Sequence, residues 1–312
     1  MSSGFHPDLR DAEFLPREPL DEEGVRTIQS APVGVPEPAP ADVDIVEVEA
    51  SGVEGGTSVS LRVYRPVGVA EPAAIYWMHG GGFIAGDPVS DDPIAIAFVR
   101  RLGVTVVSVR YRLVPPHRAP AALDDAYAGL AWTVTNAALL GIDPRRIAIG
   151  GASAGAGLAA SLAQIVLDRR EFQPAFQLLV YPMLDDRTAT RTDVDTRFVR
   201  GWEAASNALA WRLYLGQEPG LADAPEYVVP ARRNDLAGLP PAWIGVGDLD
   251  LFYDEDLDYG RRLRAAGVEC EVAVVEGAFH GFDDIYPTAA VSIDFLSTQV
   301  RVLAEALGIR ER

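Results

Sequence analysis

A serine stands between two glycines in Gly151-Ala152-Ser153-Ala154-Gly155, directly after the short apolar run Ile147 to Gly150 and ahead of a small-residue stretch with helical spacing. A serine hydroxyl becomes a useful nucleophile when a sharp strand-to-helix turn exposes it beside a base. Flanking glycines let neighbouring backbone pass close to such a turn. The helix that follows would begin with positive potential where negative charge develops. The bland alternative is a tight strand-to-helix junction without chemistry, but strand, turn and helix occur here in the order that nucleophilic acyl transfer needs.

A second stretch, His79-Gly80-Gly81-Gly82-Phe83, follows the apolar run Ala73 to Met78. Consecutive glycines leave backbone amides unobstructed, and a tetrahedral acyl intermediate needs such donors about 3 Å from its oxyanion. Gly81 and Gly82 are the expected donors, joined by the amide of Ala154, the residue after the serine. Glycine-rich loops also cradle phosphates, yet those lead straight into a helix and commonly keep a lysine. All 27 basic residues of this chain are arginine. The lack of lysine also removes Schiff-base chemistry and a Ser-Lys dyad.

The serine needs a base, and the base needs a carboxylate to orient it. Four histidines are available: His6, His79, His117 and His280. His280 follows the expected strand ending at Val275, where a loop can reach over a sheet edge. His79 is better read as the partner that fixes the glycine loop, His117 as a turn residue, and His6 as part of the N-terminal segment. For the acid, Asp248 and Asp250 both follow the expected strand Ala242 to Val246, and either could reach His280. From Asp254 onward the acidic run reads as the solvent face of a helix. Cys270 is the only cysteine, which excludes intrachain disulfides and thiolate metal sites.

The elements that must carry these groups are visible as periodicity. Val43 to Val48 and Ser58 to Tyr64 alternate like half-buried antiparallel strands. Ala73 to Met78, Val104 to Val109, Ile147 to Gly150, Phe176 to Val180 and Ala242 to Val246 are short continuous apolar runs, as in strands covered on both faces. Helical spacing occurs at Pro120 to Asn136, Ala154 to Arg169 and Asp254 to Ala266, with a last strand at Glu269 to Val275 and a closing helix from Thr288 to Leu307. This alternation predicts a mostly parallel central sheet with helices on both faces.

Two regions depart from that rhythm. Residues 8–30 suggest one or two helices, and Ala31 to Ala41 then carries four prolines and reads as an extended connector. The expected division is residues 1–42 as an N-terminal cap segment with its connector, and residues 43–312 as the catalytic domain. The polar stretch between Tyr181 and Ala242, about sixty residues, is too long for a structureless loop. Its part near residues 185–220 includes Glu203 to Leu215, which has helical spacing and is expected to contribute to the cap.

The 312 residues are 48% hydrophobic and 23% charged, with a formal net charge of -18. A chain this acidic is a poor ligand for nucleic acid or an anionic membrane, because phosphate binding needs a cationic face. The N-terminal residues lack the apolar core of a secretory signal, and no window has the length of a membrane span. The expectation is a cytoplasmic protein.

Taken together, the motifs resemble the hormone-sensitive-lipase-like branch of the α/β-hydrolases, the bacterial family IV esterases. The resemblance rests on the glycine loop at His79 to Phe83, Gly151 to Gly155, and His280-Gly281-Phe282, in that order. Tyr111-Arg112-Leu113, Tyr181-Pro182, and Asp250 ahead of Tyr259 and Arg262-Leu263 support it. In that family the acid opens a D-P-L-x-D-E stretch. Asp250 to Glu255 matches its register, which favours Asp250 over Asp248, although Leu251 replaces the proline. Ala152 and Ala156 stand where the family commonly has aspartate and glycine, and proline stands where Leu113 to His117 would carry a glutamate.

The resemblance implies an α/β-hydrolase fold with a helical cap, and a carboxylesterase acting on small or short-chain acyl esters with Ser153, His280 and Asp250 as triad. It implies no metal and no cofactor, a small-molecule ester as partner, and leaves a homodimer open. An amidase or thioesterase on the same triad, or a catalytically silent ligand receptor, are the competing readings.

Overall fold

The structure is a computed structural model that describes residues 4–31, 38–51 and 56–312. Residues 32–37 of the expected proline-rich connector lie outside the described residues. Before it come a 3-10 turn at Pro7–Phe14 and helix α1 (Glu22–Ser30), the latter capped by Asp21, whose carboxylate accepts from the Gly24 amide.

Eight strands form one sheet: β1 (Val43–Ala50), β2 (Val59–Pro66), β3 (Ala74–Met78), β4 (Thr105–Val109), β5 (Ile147–Ala152), β6 (Phe176–Val180), β7 (Ala242–Gly247) and β8 (Cys270–Val275). Their order across the sheet is β1-β2-β4-β3-β5-β6-β7-β8, antiparallel from β1 to β4 and parallel thereafter. The parallel strands require crossovers, supplied by α2 (Asp92–Leu102), α3 (Ala121–Thr135) with the short α4 (Ala137–Leu140), α5 (Ala154–Arg169), α6 (Ala204–Leu215) and α7 (Tyr253–Ala265). Short α8 (Phe282–Ile285) and α9 (Ala290–Leu307) close the chain.

Strand β3 shows why the parallel strands read as continuous apolar runs. Tyr76 and Met78 pack on one face with Leu123 and Ala126 of α3 and Leu158 and Leu162 of α5. Ile75 and Trp77 pack on the other with Phe98 and Leu102 of α2 and Phe295 and Leu303 of α9. Both pleat directions are therefore buried, and alternation disappears from the sequence.

Three details differ from the sequence expectations. Helix α2 was not among the expected elements. Its buried residues Ala95, Phe98, Val99 and Leu102 do repeat with helical spacing, but Ile94 and Ile96 on the intervening positions blur it into a strand-like pattern. Strand β2 is buried along most of its length rather than half-buried, because it lies inside the sheet between β1 and β4 with α2 and α3 packed against it. The acidic run on α7 does not simply face solvent. Asp254 and Asp258 are exposed and paired with Arg191 and Arg261, whereas Glu255 and Asp256 point into the core.

Candidate active site

All the motif-bearing loops leave the carboxyl edge of the sheet, where parallel α/β architectures place their ligands. Ser153 sits at the junction of β5 and α5 with φ 56° and ψ -119°, a conformation that L-residues rarely hold. The flanking glycines make it attainable. A methyl group on Gly151 would lie 2.4 Å from the Met78 carbonyl oxygen, and one on Gly155 would lie 2.1 Å from that same oxygen and 2.3 Å from that of His79. The turn is pinned from the other side as well. The Ser153 amide donates to Val180 O at 2.9 Å, and the Met183 amide donates to Ser153 O at 3.0 Å.

His280 Nε2 lies 2.9 Å from Ser153 Oγ, and its Nδ1 lies 2.8 Å from Asp250 Oδ2. The second oxygen of Asp250 accepts from the Phe252 amide at 2.9 Å. The imidazole is held edge-on by Tyr181, with ring centroids 4.8 Å apart, and by Phe252 at 5.1 Å. Three groups from β5, β7 and the loop after β8 thus form one unbroken hydrogen-bonded row.

Asp248 is not part of that row. Its Oδ1 accepts from the Gly277 amide at 2.6 Å and so orders the loop that delivers His280. His6 joins the same loop from the N-terminus, its amide donating to Gly277 O at 2.8 Å. His79 is buried and stacked on Tyr111 at 4.1 Å, with Nδ1 2.8 Å from Gly80 O. Burial pushes its pKa down to about 4, which keeps the ring neutral. His117 is exposed.

The glycine loop folds tightly after β3. Gly81 has φ 111°, and a methyl group there would lie 2.3 Å from Ala85 O; Gly82 has φ 61°. The amides of Ile84 and Ala85 both donate to Gly81 O. Among the described residues, no protein acceptor pairs with the amides of Gly81, Gly82 or Ala154. Ala154 opens the 16-residue helix α5, whose N-terminus adds positive potential.

Several groups around this core are not marked in the sequence. Tyr181 donates to Asp283 Oδ1 at 3.0 Å, and burial pushes the Asp283 carboxyl up to about 6. Glu255 accepts from the amides of Leu184 and Asp185 and from the Thr188 hydroxyl, and burial pushes it up to about 8. Asp256 is fully buried with neither oxygen hydrogen-bonded, and burial raises its carboxyl well above the usual range. The tyrosine of Tyr181-Pro182 was visible as a motif; the inward turn of Glu255 and Asp256 had no local signal. Among the described residues, no cluster of His, Cys, Asp and Glu is arranged to hold a metal ion, and no helix is long and apolar enough to cross a membrane.

Residues 75–284 match the model of a protein family described as having the alpha/beta hydrolase fold. The chain belongs to this α/β-hydrolase family. The hydrolase is 36% identical over 256 residues to carboxylesterase NlhH of Mycobacterium tuberculosis, covering 78% of each chain. It is 33% identical to an ethyl acetate hydrolase of Pseudomonas putida, over 73% of this chain and 72% of that one. Among solved structures, a bacterial heroin esterase superposes with a TM-score of 0.87 at 34% identity, covering 97% of this hydrolase and 98% of that chain. The expected fold and the family resemblance read from the motifs both hold.

Proposed function

We propose that this hydrolase is a serine carboxylesterase that cleaves small or short-chain acyl esters through an acyl-enzyme intermediate. The observation that carries the reading is the continuous row Asp250–His280–Ser153, with contacts of 2.8 and 2.9 Å, together with three amides that have no protein acceptor among the described residues. Esterase relatives of similar length, one of them named for ethyl acetate, support the same substrate class.

In this mechanism Ser153 Oγ attacks the ester carbonyl carbon while His280 Nε2 takes the hydroxyl proton. The carbonyl π pair moves to oxygen, and the amides of Gly81, Gly82 and Ala154 hold the oxyanion. Asp250 stabilises the imidazolium and fixes its tautomer. When the oxyanion collapses, the carbon–oxygen bond to the alcohol breaks and His280 returns the proton to the leaving oxygen. Water then attacks the acyl-serine with the same His280 as base, releasing the carboxylic acid and restoring Ser153.

We assign the cap to two segments, residues 1–42 and the stretch near 185–220, with residues 43–312 as the catalytic domain. Leu20 N donates to Ser206 Oγ at 2.9 Å, and Arg200 Nε donates to Ala12 O at 3.0 Å, so the two segments are tied together. Hydrolysis of p-nitrophenyl acetate by purified wild type and Ser153→Ala tests the function. The expected result is loss of nearly all turnover in the variant. Turnover of Ser153→Ala at a rate near wild type would refute the nucleophile.

A further inference from the structure

One dipeptide of the cap touches two of the loops that carry the site. Gly201 lies against the histidine loop: with φ 77°, a methyl group on it would lie 2.0 Å from His280 O and 3.7 Å from His280 Cβ. The next residue, Trp202, lies against the glycine loop, where a methyl group on Gly82 would lie 2.3 Å from ring atom Cη2 and 2.8 Å from Cζ2. Gly201-Trp202 therefore touches both the histidine loop and the glycine loop.

This bridge is fixed in place. Trp202 Nε1 donates to Asn207 Oδ1 on α6 at 3.3 Å, and Arg200 Nη1 donates to Val199 O at 2.7 Å. Phe83, at the end of the glycine loop, stacks on Tyr214 of α6 with centroids 3.8 Å apart, which packs the loop against the cap helix. The consequence shows in exposure. Only 6% of Ser153 and 9% of Trp202 are accessible, which leaves a narrow approach to the nucleophile.

The direction of the ester follows from the proton transfers. His280 must reach the leaving oxygen to protonate it, so the alcohol half lies on the His280 side. The carbonyl oxygen takes the glycine-loop amides, so the acyl half is left the direction away from His280, on the side where the Trp202 ring lies against Gly82. We propose that Trp202 is the specificity-determining residue that limits the length of the acyl group. This inference rests on the esterase reading and deepens it: the substrate class is esters of short acids, and one indole ring ends the acyl channel.

The test is kcat/KM for p-nitrophenyl acetate, butyrate and octanoate in wild type, Trp202→Phe and Trp202→Ala, with a matched series of acetate esters of longer alcohols. Each methylene accommodated in an apolar pocket changes discrimination by about tenfold or more, so the octanoate-to-acetate ratio should rise at least ~10-fold in Trp202→Ala and by less in Trp202→Phe. The alcohol series should keep its wild-type order. Should Trp202→Ala fail to fold, Trp202→Phe and Trp202→Leu report the same ratio. An unchanged acyl ratio in the folded variants, or a shift confined to the alcohol series, overturns the assignment while leaving the esterase reading intact. A wild-type protein inert toward every ester in the panel sinks both.

Discussion

Replacing Asp250 by asparagine keeps size and shape while converting one acceptor oxygen into a donor amide. The structure dictates which one. Asp250 Oδ1 accepts from the Phe252 amide at 2.9 Å, and that backbone donor cannot turn away. The asparagine carbonyl must therefore face Phe252, and its NH2 group must face His280 Nδ1, now 2.8 Å from an acceptor. Nδ1 can accept from that amide only by giving up its proton, so the ring proton moves to Nε2. There it points at Ser153 Oγ, 2.9 Å away, and the imidazole can no longer take the hydroxyl proton. The wrong tautomer costs about 10³–10⁴ in rate, or ~4–5.5 kcal/mol of transition-state stabilisation, at nearly unchanged fold. Steady-state kcat/KM on p-nitrophenyl acetate, with circular dichroism as a check on folding, measures it. Asp248→Asn is the control: its carbonyl can still accept from Gly277, so its loss should be much smaller. A loss below about tenfold in Asp250→Asn, or a larger one in Asp248→Asn, would refute the reasoning.

Two other substitutions probe the scaffold beneath the site. Gly155→Ala drives a methyl group to 2.1 and 2.3 Å from two backbone oxygens of β3 and the loop after it, so soluble yield or thermal midpoint should collapse; a midpoint within about 3 °C of wild type would show that the turn can relax. Asp256→Asn probes pH dependence. Because burial raises the Asp256 carboxyl far above its ordinary value, the folded chain keeps a proton that the unfolded chain releases above about pH 4, so this group's contribution to stability falls as pH rises. Glu255, raised to about 8, acts in the same direction between its ordinary value and pH 8. Asp256→Asn should therefore raise the melting temperature at pH 8 more than at pH 5, as differential scanning fluorimetry would show; an equal or opposite change at the two pH values contradicts the linkage.

Much of the site was legible because its signals are local. Ser153, the glycine loop and His280 each sit in a short motif whose residue types follow from backbone geometry, and the parallel strands announce themselves as apolar runs because both pleat faces are covered. The acid was harder. Asp248 and Asp250 leave β7 two residues apart, and residue type alone does not say which carboxylate turns toward the imidazole; only the resemblance favoured Asp250, and the fold sends Asp248 to the Gly277 amide instead. Helix α2 was hidden by isoleucines on its less buried side. Glu255 and Asp256 look like part of a solvated charge run in the sequence, which reports the charge of α7 but not that its N-terminal turn is buried. Trp202 carried no signal at all: its meaning comes from a contact with Gly82, far away in the chain, that exists only once the stretch between β6 and β7 has folded back onto the glycine loop.

The proposed chemistry needs a hydroxyl made nucleophilic by its two neighbours, and covalent capture of that oxygen reads it most directly. Intact-mass and peptide mass spectrometry after treatment with a fluorophosphonate should show one adduct per chain, located on Ser153. The same treatment should leave His280→Ala essentially unmodified over the period in which wild type is fully labelled. Adduct on another residue, or equal labelling of wild type and His280→Ala, would contradict it.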